Sequence, residues 1–134
     1  MNLPRMRLAA TAAALALMAG CAQSPERQAL MSEAQRTVPV CDGERDCTAK
    51  WEAAQLWVVR NAGFKIQTVT NVLIQTFNAS NHSIYLAATI TKEPQGGGRY
   101  RILSSFGCAN MFGCSPEPAR AIIEFNRFVA AATP

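Results

Sequence analysis

The stretch FKIQTVTNVLIQTF, residues 64–77, decides the class of fold that this chain adopts. Its even-numbered positions are apolar or β-branched throughout: Phe64, Ile66, Thr68, Thr70, Val72, Ile74 and Thr76. Side chains two residues apart share one face of a strand, so this period predicts β-structure. The stretch is either one long strand or two shorter strands separated near residues 70–71.

Two further segments show the same alternation farther along the chain. Residues 83–92 and 99–108 each alternate apolar and polar positions, and the glycines at 96–98 lie between them. The apolar positions are Ile84, Leu86, Ala88 and Ile90 in the first segment, and Tyr100, Ile102 and Phe106 in the second. Such alternation is typical of an antiparallel sheet with one covered face, here with a loose hairpin loop between the strands.

A helix is predicted on each side of these strands. Asp46 is a suitable cap for the first helix and Gly63 a suitable stop, whereas Ser115 and Pro116 are suited to begin the second. The apolar stripes are Cys47, Trp51, Ala54, Val58 and Ala62, then Ala119, Ile122, Ile123, Asn126, Val129 and Ala130. We therefore expect an α+β domain over residues 41–134: a three-stranded antiparallel sheet flanked by an N-terminal and a C-terminal helix (α-β-β-β-α).

The first twenty residues have the features of a secretory signal. Arg5 and Arg7 precede an uncharged apolar run over residues 8–17, and small residues follow it. The run is far shorter than the roughly 20 residues that span a bilayer, so a transmembrane helix is the weaker interpretation. We expect residues 1–20 to be removed on export.

The residues at the end of this leader resemble the lipobox of bacterial lipoproteins. The sequence Met18–Ala19–Gly20–Cys21 matches that motif except that Met18 stands where leucine is usual. The resemblance implies diacylglycerol transfer to the Cys21 thiol, cleavage after Gly20 and acylation of the new amine. Ala22, where an aspartate would signal retention in the inner membrane, resembles outer-membrane lipoproteins. The expected location is therefore the outer membrane, facing the periplasm.

Between this anchor and the domain lies a polar segment with no sustained apolar period. We interpret residues 21–40 as the lipidated N-terminus and a flexible tether that ends near Pro39. A short helix over residues 26–36 is the alternative, although it offers few apolar residues for docking.

The remaining four cysteines form an even set in an exported chain. Cys41 and Cys47, like Cys108 and Cys114, have five residues between them. Even sets in oxidising compartments usually form disulfides, whereas structural zinc sites favour spacings of about two to four residues. We expect two disulfides and no metal. The equal spacing favours local pairs, 41–47 and 108–114, over long-range pairs that would join the two regions.

Charge and motif content exclude several functions. The net charge of +4 falls to +2 when Arg5 and Arg7 leave with the leader, and no Lys/Arg run indicates nucleic-acid binding. His82 is the one histidine, and no nucleophile-elbow pattern surrounds any serine. An acidic cluster at Asp42, Glu44, Asp46 and Glu52 is more typical of helix capping than of paired catalytic carboxylates. We expect no enzyme, no catalytic residue and no cofactor.

The residues beside the glycine loop are the candidate contact site. Arg99, Arg101, Lys92 and Tyr85 are predicted on the outward face of the sheet, where they either bind a protein partner or form an ordinary solvated face. We expect a lipid-anchored periplasmic protein, attached to the membrane through its N-terminal lipid, with a binding or scaffolding role in the envelope. The alternative is an inhibitor or modulator of an envelope enzyme that uses the glycine loop as its probe, and the third is a small lytic enzyme.

The first helix carries a second resemblance. A short pattern between the two cysteine pairs is similar to one in small uncharacterised lipoproteins of proteobacteria. It consists of Lys50–Trp51, residues 53–55 and Trp57–Val58. It implies no activity.

Overall fold

The structure, a computed structural model, describes residues 23–134; the predicted leader, the motif that resembles a lipobox and Cys21 lie outside these residues. The described elements, in chain order, are α1 (Pro25–Arg36), β1 (Val40–Asp42), α2 (Gly43–Asn61), β2 (Ile66–Val69), β3 (Leu73–Thr76), β4 (Ala87–Gly96), β5 (Arg99–Gly107) and α3 (Pro118–Ala130). The predicted α+β class is confirmed.

The sheet has five strands, so the prediction of three strands is wrong. Their order is β1-β5-β4-β3-β2, and every neighbouring pair is antiparallel. Residues 64–77 divide into β2 and β3 because the Thr70 hydroxyl accepts hydrogen bonds from the N–H groups of Val72 and Leu73 and forms a turn. The additional edge strand β1 pairs with β5, with Cys41 opposite Tyr100. Its three residues are too few for a periodic signal.

Strand β4 begins four residues later than predicted. Residues 83–86 instead bond to other segments: the carbonyl of Ile84 accepts the N–H of Ser115, and that of Leu86 accepts the N–H of Gly63. Strands β4 and β5 then pair along their whole length up to Gly96 opposite Arg99. The predicted loose loop is a tight two-residue turn, because positive φ values at residues 97 and 98 suit such a hairpin.

Helices α2 and α3 pack on the sheet face that carries the even-numbered apolar residues. Their buried residues join this face in one core, which includes Val58, Ile74, Ile90, Ile102 and Val129. At its centre the rings of Trp57, Phe106 and Phe125 lie 5.1 to 5.8 Å apart. Edge-to-face contacts of this kind add to the stabilisation that burial provides.

Both of these helices begin at residues other than those predicted. Helix α2 has Asp42 as its N-cap, and the carboxylate of Asp46 reaches back to accept the Asp42 N–H at 2.9 Å. Helix α3 begins at Pro118, with Glu117 as N-cap. In each case the proline or acidic residues near the start predicted the N-terminus of the helix to within a few residues. The tertiary contacts decide at which residue the helix begins.

Helix α1 occupies part of the segment predicted as a flexible tether, and it agrees with the alternative prediction of a short helix over residues 26–36. Ser24 caps it, and Ala34 is its one buried residue. It packs against α3 through polar contacts: Asn126 Nδ2 donates to the carbonyl of Ala34 at 2.9 Å and to Thr37 Oγ1 at 3.1 Å. Because α1 buries only Ala34 and its other contacts with α3 include polar ones, the helix has no sustained apolar period from which its docking could be predicted.

Candidate functional site

The sheet gives the molecule two contrasting ends. At the end here called the hairpin end, the β4–β5 turn lies beside the start of α2, where Gly43 N–H donates to the carbonyl of Gly98 at 3.1 Å. The Cys41–Cys47 disulfide lies at this end. The second disulfide, Cys108–Cys114, lies after β5 at the opposite end. The predicted disulfides are confirmed, and their pairing is local.

The structure divides the four predicted contact residues. Arg99 and Arg101 lie together on the outer face of β5, and both are exposed. Lys92 belongs to the helix-covered side, since its Nζ lies 5.3 Å from the centre of the Trp51 ring and 5.4 Å from that of Tyr100. Tyr85 is exposed but precedes β4 at the far end of the sheet. Two of the four residues are therefore neighbours at the hairpin end.

Charges of both signs alternate at the hairpin end. Arg99 Nε lies 4.0 Å from Asp42 Oδ2, and Glu93 lies opposite Arg101 in the register of β4 and β5. All of these side chains are exposed, so their mutual attraction is weak. The surface is therefore mixed in charge, which suits a polar protein surface better than a uniformly anionic ligand.

The acidic cluster serves the start of α2. Lys50 Nζ donates to Asp46 Oδ2 and to the carbonyl of Val40, both at 2.9 Å, and so joins α2 to β1. The Lys50 hydrogen bond, followed by the one from the Asp42 N–H, lowers the pKa of the Asp46 carboxyl. Within residues 23–134, no three His, Cys, Asp or Glu side chains lie close enough together to hold a metal ion.

The end of the molecule opposite the hairpin, here called the loop end, consists of two segments held side by side. They are the turn at residues 77–85 and the disulfide-closed loop at residues 108–114. The N–H of Ala109 donates to the carbonyl of Ser83 and that of His82 to the carbonyl of Ala109, both at 3.2 Å. Asn110 Nδ2 donates to the His82 carbonyl at 2.8 Å. His82 thus contributes through its backbone to the structure of the loop.

The tip of the disulfide-closed loop presents two large apolar side chains to solvent. Met111 is 86% exposed and Phe112 is 93% exposed. The tip is ordered by its neighbours, because the Asn110 Oδ1 atom accepts the Phe112 N–H at 2.9 Å. This surface was not among the residues predicted from the sequence. The available signal was an adjacent methionine and phenylalanine in a seven-residue disulfide loop, which is too small to bury them itself.

The comparisons with known proteins add no identification. No protein-family model matches the chain, and no curated protein or solved structure is significantly similar to it. Among the helices of residues 23–134, none is long and apolar enough to cross a membrane.

Proposed function

We propose that this protein is a lipid-anchored component of the bacterial cell envelope that binds a protein partner through its hairpin end. One observation carries the proposal: residues 93–99 are all exposed and extend the β4–β5 hairpin away from the side on which α1 begins. A lipid on Cys21 would lie on that α1 side. The hairpin then lies at the end of the sheet opposite the anchor.

The hairpin is suited to recognition because it is held rigidly. Its two-residue turn pairs Gly96 with Arg99, and the Gly43 N–H bonds to its Gly98 carbonyl. An exposed segment on a rigid scaffold loses little conformational entropy on binding. Arg99 and Arg101 project from one face of it and supply the charged contacts.

The same hairpin fits the alternative of an inhibitor or modulator of an envelope enzyme. A narrow, exposed turn with no side chain at residues 96–98 is able to enter a cleft that a broad surface cannot. The identity of the partner distinguishes the two functions: a structural assembly supports scaffolding, and a single hydrolase supports inhibition.

The anchor is tested by labelling cells with radioactive palmitate. The wild-type protein should incorporate label, whereas Cys21→Ser should remain an unlabelled, unprocessed precursor. The reason is that only the Cys21 thiol accepts the diacylglycerol in a lipobox of this form. Label in the Cys21→Ser protein would contradict the anchor.

The binding site is tested by crosslinking and pull-down from membranes. The double variant Arg99→Ala/Arg101→Ala should lose the partner that the wild type captures. The matched control is Arg27→Ala/Arg36→Ala, which removes the same charge from exposed positions on α1, away from the hairpin. If the Arg99→Ala/Arg101→Ala variant captures the same partners as the wild type, the hairpin end is not the binding site.

A further inference from the structure

The loop end combines exposed apolar side chains with an absence of charge. Five of the exposed large apolar residues lie there: Phe77, Ile84, Tyr85, Met111 and Phe112. No Asp, Glu, Lys or Arg occurs in residues 66–91 or 102–116, which include both segments of this end. Apolar patches of this kind on a soluble surface usually mark a contact with a protein or a membrane.

The N-terminal side of the domain lies at this same end. Helices α1 and α3 run parallel, because Glu26 pairs with Arg120 near their starts and Glu33 pairs with Arg127 farther along. The start of α1 is therefore beside the start of α3, which follows Cys114 by four residues. The chain enters the domain beside the disulfide-closed loop.

The docking of α1 brings the anchor close to the loop end. Cys21 precedes the N-cap Ser24 by three residues, which span at most about 11 Å even when extended. A flexible tether of about 20 residues would instead have a root-mean-square length of about 25 Å. A lipid on Cys21 would therefore hold this end of the domain near the bilayer.

We propose that the loop end contacts the lipid bilayer, with Met111 and Phe112 entering the boundary between headgroups and acyl chains; this rests on the lipid anchor of the proposed function. No charged group in the loop has to lose its hydration when the tip enters. Arg60, in the last turn of α2, and Lys65, whose carbonyl accepts the Phe77 N–H, supply cations on this side of the domain for anionic headgroups.

The size of the tip favours a bilayer over a protein partner. A stable protein interface buries about 800 Å² on each side, whereas the two side chains of the tip supply only about half of that area. A bilayer needs no complementary shape and accepts a narrow apolar tip. Contact there would orient the domain with its hairpin end directed into the periplasm.

The test places a fluorescent reporter at the tip. Mature Phe112→Trp protein is reconstituted in vesicles of phosphatidylethanolamine and phosphatidylglycerol, with and without phosphatidylcholine brominated on its acyl chains. Trp51 and Trp57 are buried and give a background that the wild type measures. The Phe112→Trp protein should show blue-shifted emission and lose more intensity to the bromines than the wild type does. The matched control Gln95→Trp, exposed in the hairpin, should lose no more than the wild type.

Two outcomes would overturn the proposal. One is Phe112→Trp emission typical of an indole in water, with no quenching beyond the wild type. The other is a blue shift without quenching, which would mean that a second copy of this chain covers the tip.

A second form of the experiment tests the bilayer contact independently of the lipid anchor. The same variants of residues 22–134 are held on the vesicles by an N-terminal histidine tag and a nickel-chelating lipid, so lipidation of Cys21 is not needed. Quenching of Phe112→Trp in this arm, with no palmitate on Cys21 in cells, would contradict the anchor alone. Palmitate on Cys21 with no quenching in either arm would contradict the bilayer contact alone.

Discussion

The hydroxyl of Thr76 replaces a backbone acceptor at the end of strand β3, and its removal should destabilise the domain. Thr76 is 1% exposed. Its Oγ1 accepts the N–H of Ala88 at 2.9 Å and donates to the carbonyl of Phe77 at 3.0 Å. Thr76→Val keeps the shape of the side chain but removes both hydrogen bonds, and it leaves a buried strand N–H without its partner.

The cost can be estimated from these contacts. An unpaired buried N–H costs about 1–3 kcal/mol, and the lost bond to Phe77 costs about 1 kcal/mol. The methyl group that replaces the hydroxyl returns about 0.8 kcal/mol through burial. We expect the free energy of unfolding to fall by about 2 kcal/mol, and the thermal midpoint by roughly 8 °C for a domain of this size.

Urea denaturation followed by tryptophan fluorescence measures the change, because Trp51 and Trp57 lie in the core. The control is Thr89→Val, at a half-buried position on the outer face of β4, where the change should stay within about 0.5 kcal/mol. Amide exchange at Ala88 should also become faster in Thr76→Val. Stability equal to the wild type, with unchanged exchange at Ala88, would refute the role of the hydroxyl.

Two further predictions concern the ion pair of Asp46 with Lys50 and the close contact between Gly63 and Tyr85. The pKa of Asp46 is lowered by Lys50, so its contribution to stability is present above the unfolded pKa of about 3.9 and is lost as pH falls through the folded pKa. In Asp46→Asn, the free energy of unfolding, measured by urea denaturation, should therefore fall less as the pH is lowered. The same fall in the variant as in the wild type would contradict a stabilising contact between Asp46 and Lys50. A Cβ on Gly63 would lie 2.3 Å from the Tyr85 Cβ, so Gly63→Ala should destabilise by about 1–3 kcal/mol in thermal denaturation. Gly107→Ala, with open space around its Cβ, should stay within about 0.5 kcal/mol, and equal midpoints for the two variants would rule out the steric conflict.

The strands that the sequence predicted best are those with a long local period. Strand β5 was predicted over residues 99–108 and spans Arg99–Gly107, because alternation depends only on which side of the backbone each side chain lies. Strand β1 had no such signal. Its three residues form a strand because Cys41 pairs with Tyr100, which is far away in the chain.

The disulfides could also be predicted because they are local contacts, whereas features that depend on distant contacts could not. The pairs Cys41–Cys47 and Cys108–Cys114 were predicted from their spacing, since each closes a loop of neighbouring residues. The two ends of the molecule were not predicted. Tyr85 was grouped with the arginines of the hairpin, yet the hydrogen bonds of residues 82–84 attach its segment to residues 109–115.

The sequence by itself predicted the α+β class, favoured the local disulfide pairing and led to the expectation of a lipid anchor, because each depends on residues close together in the chain. Only the tertiary structure decided that α1 docks on α3 and that the Met111–Phe112 tip lies at the end where the chain enters the domain. That docking depends on Asn126, which bonds to backbone and side-chain oxygens about ninety residues earlier. Contacts of this kind leave no period in the sequence, since they are set by how packed elements meet in space.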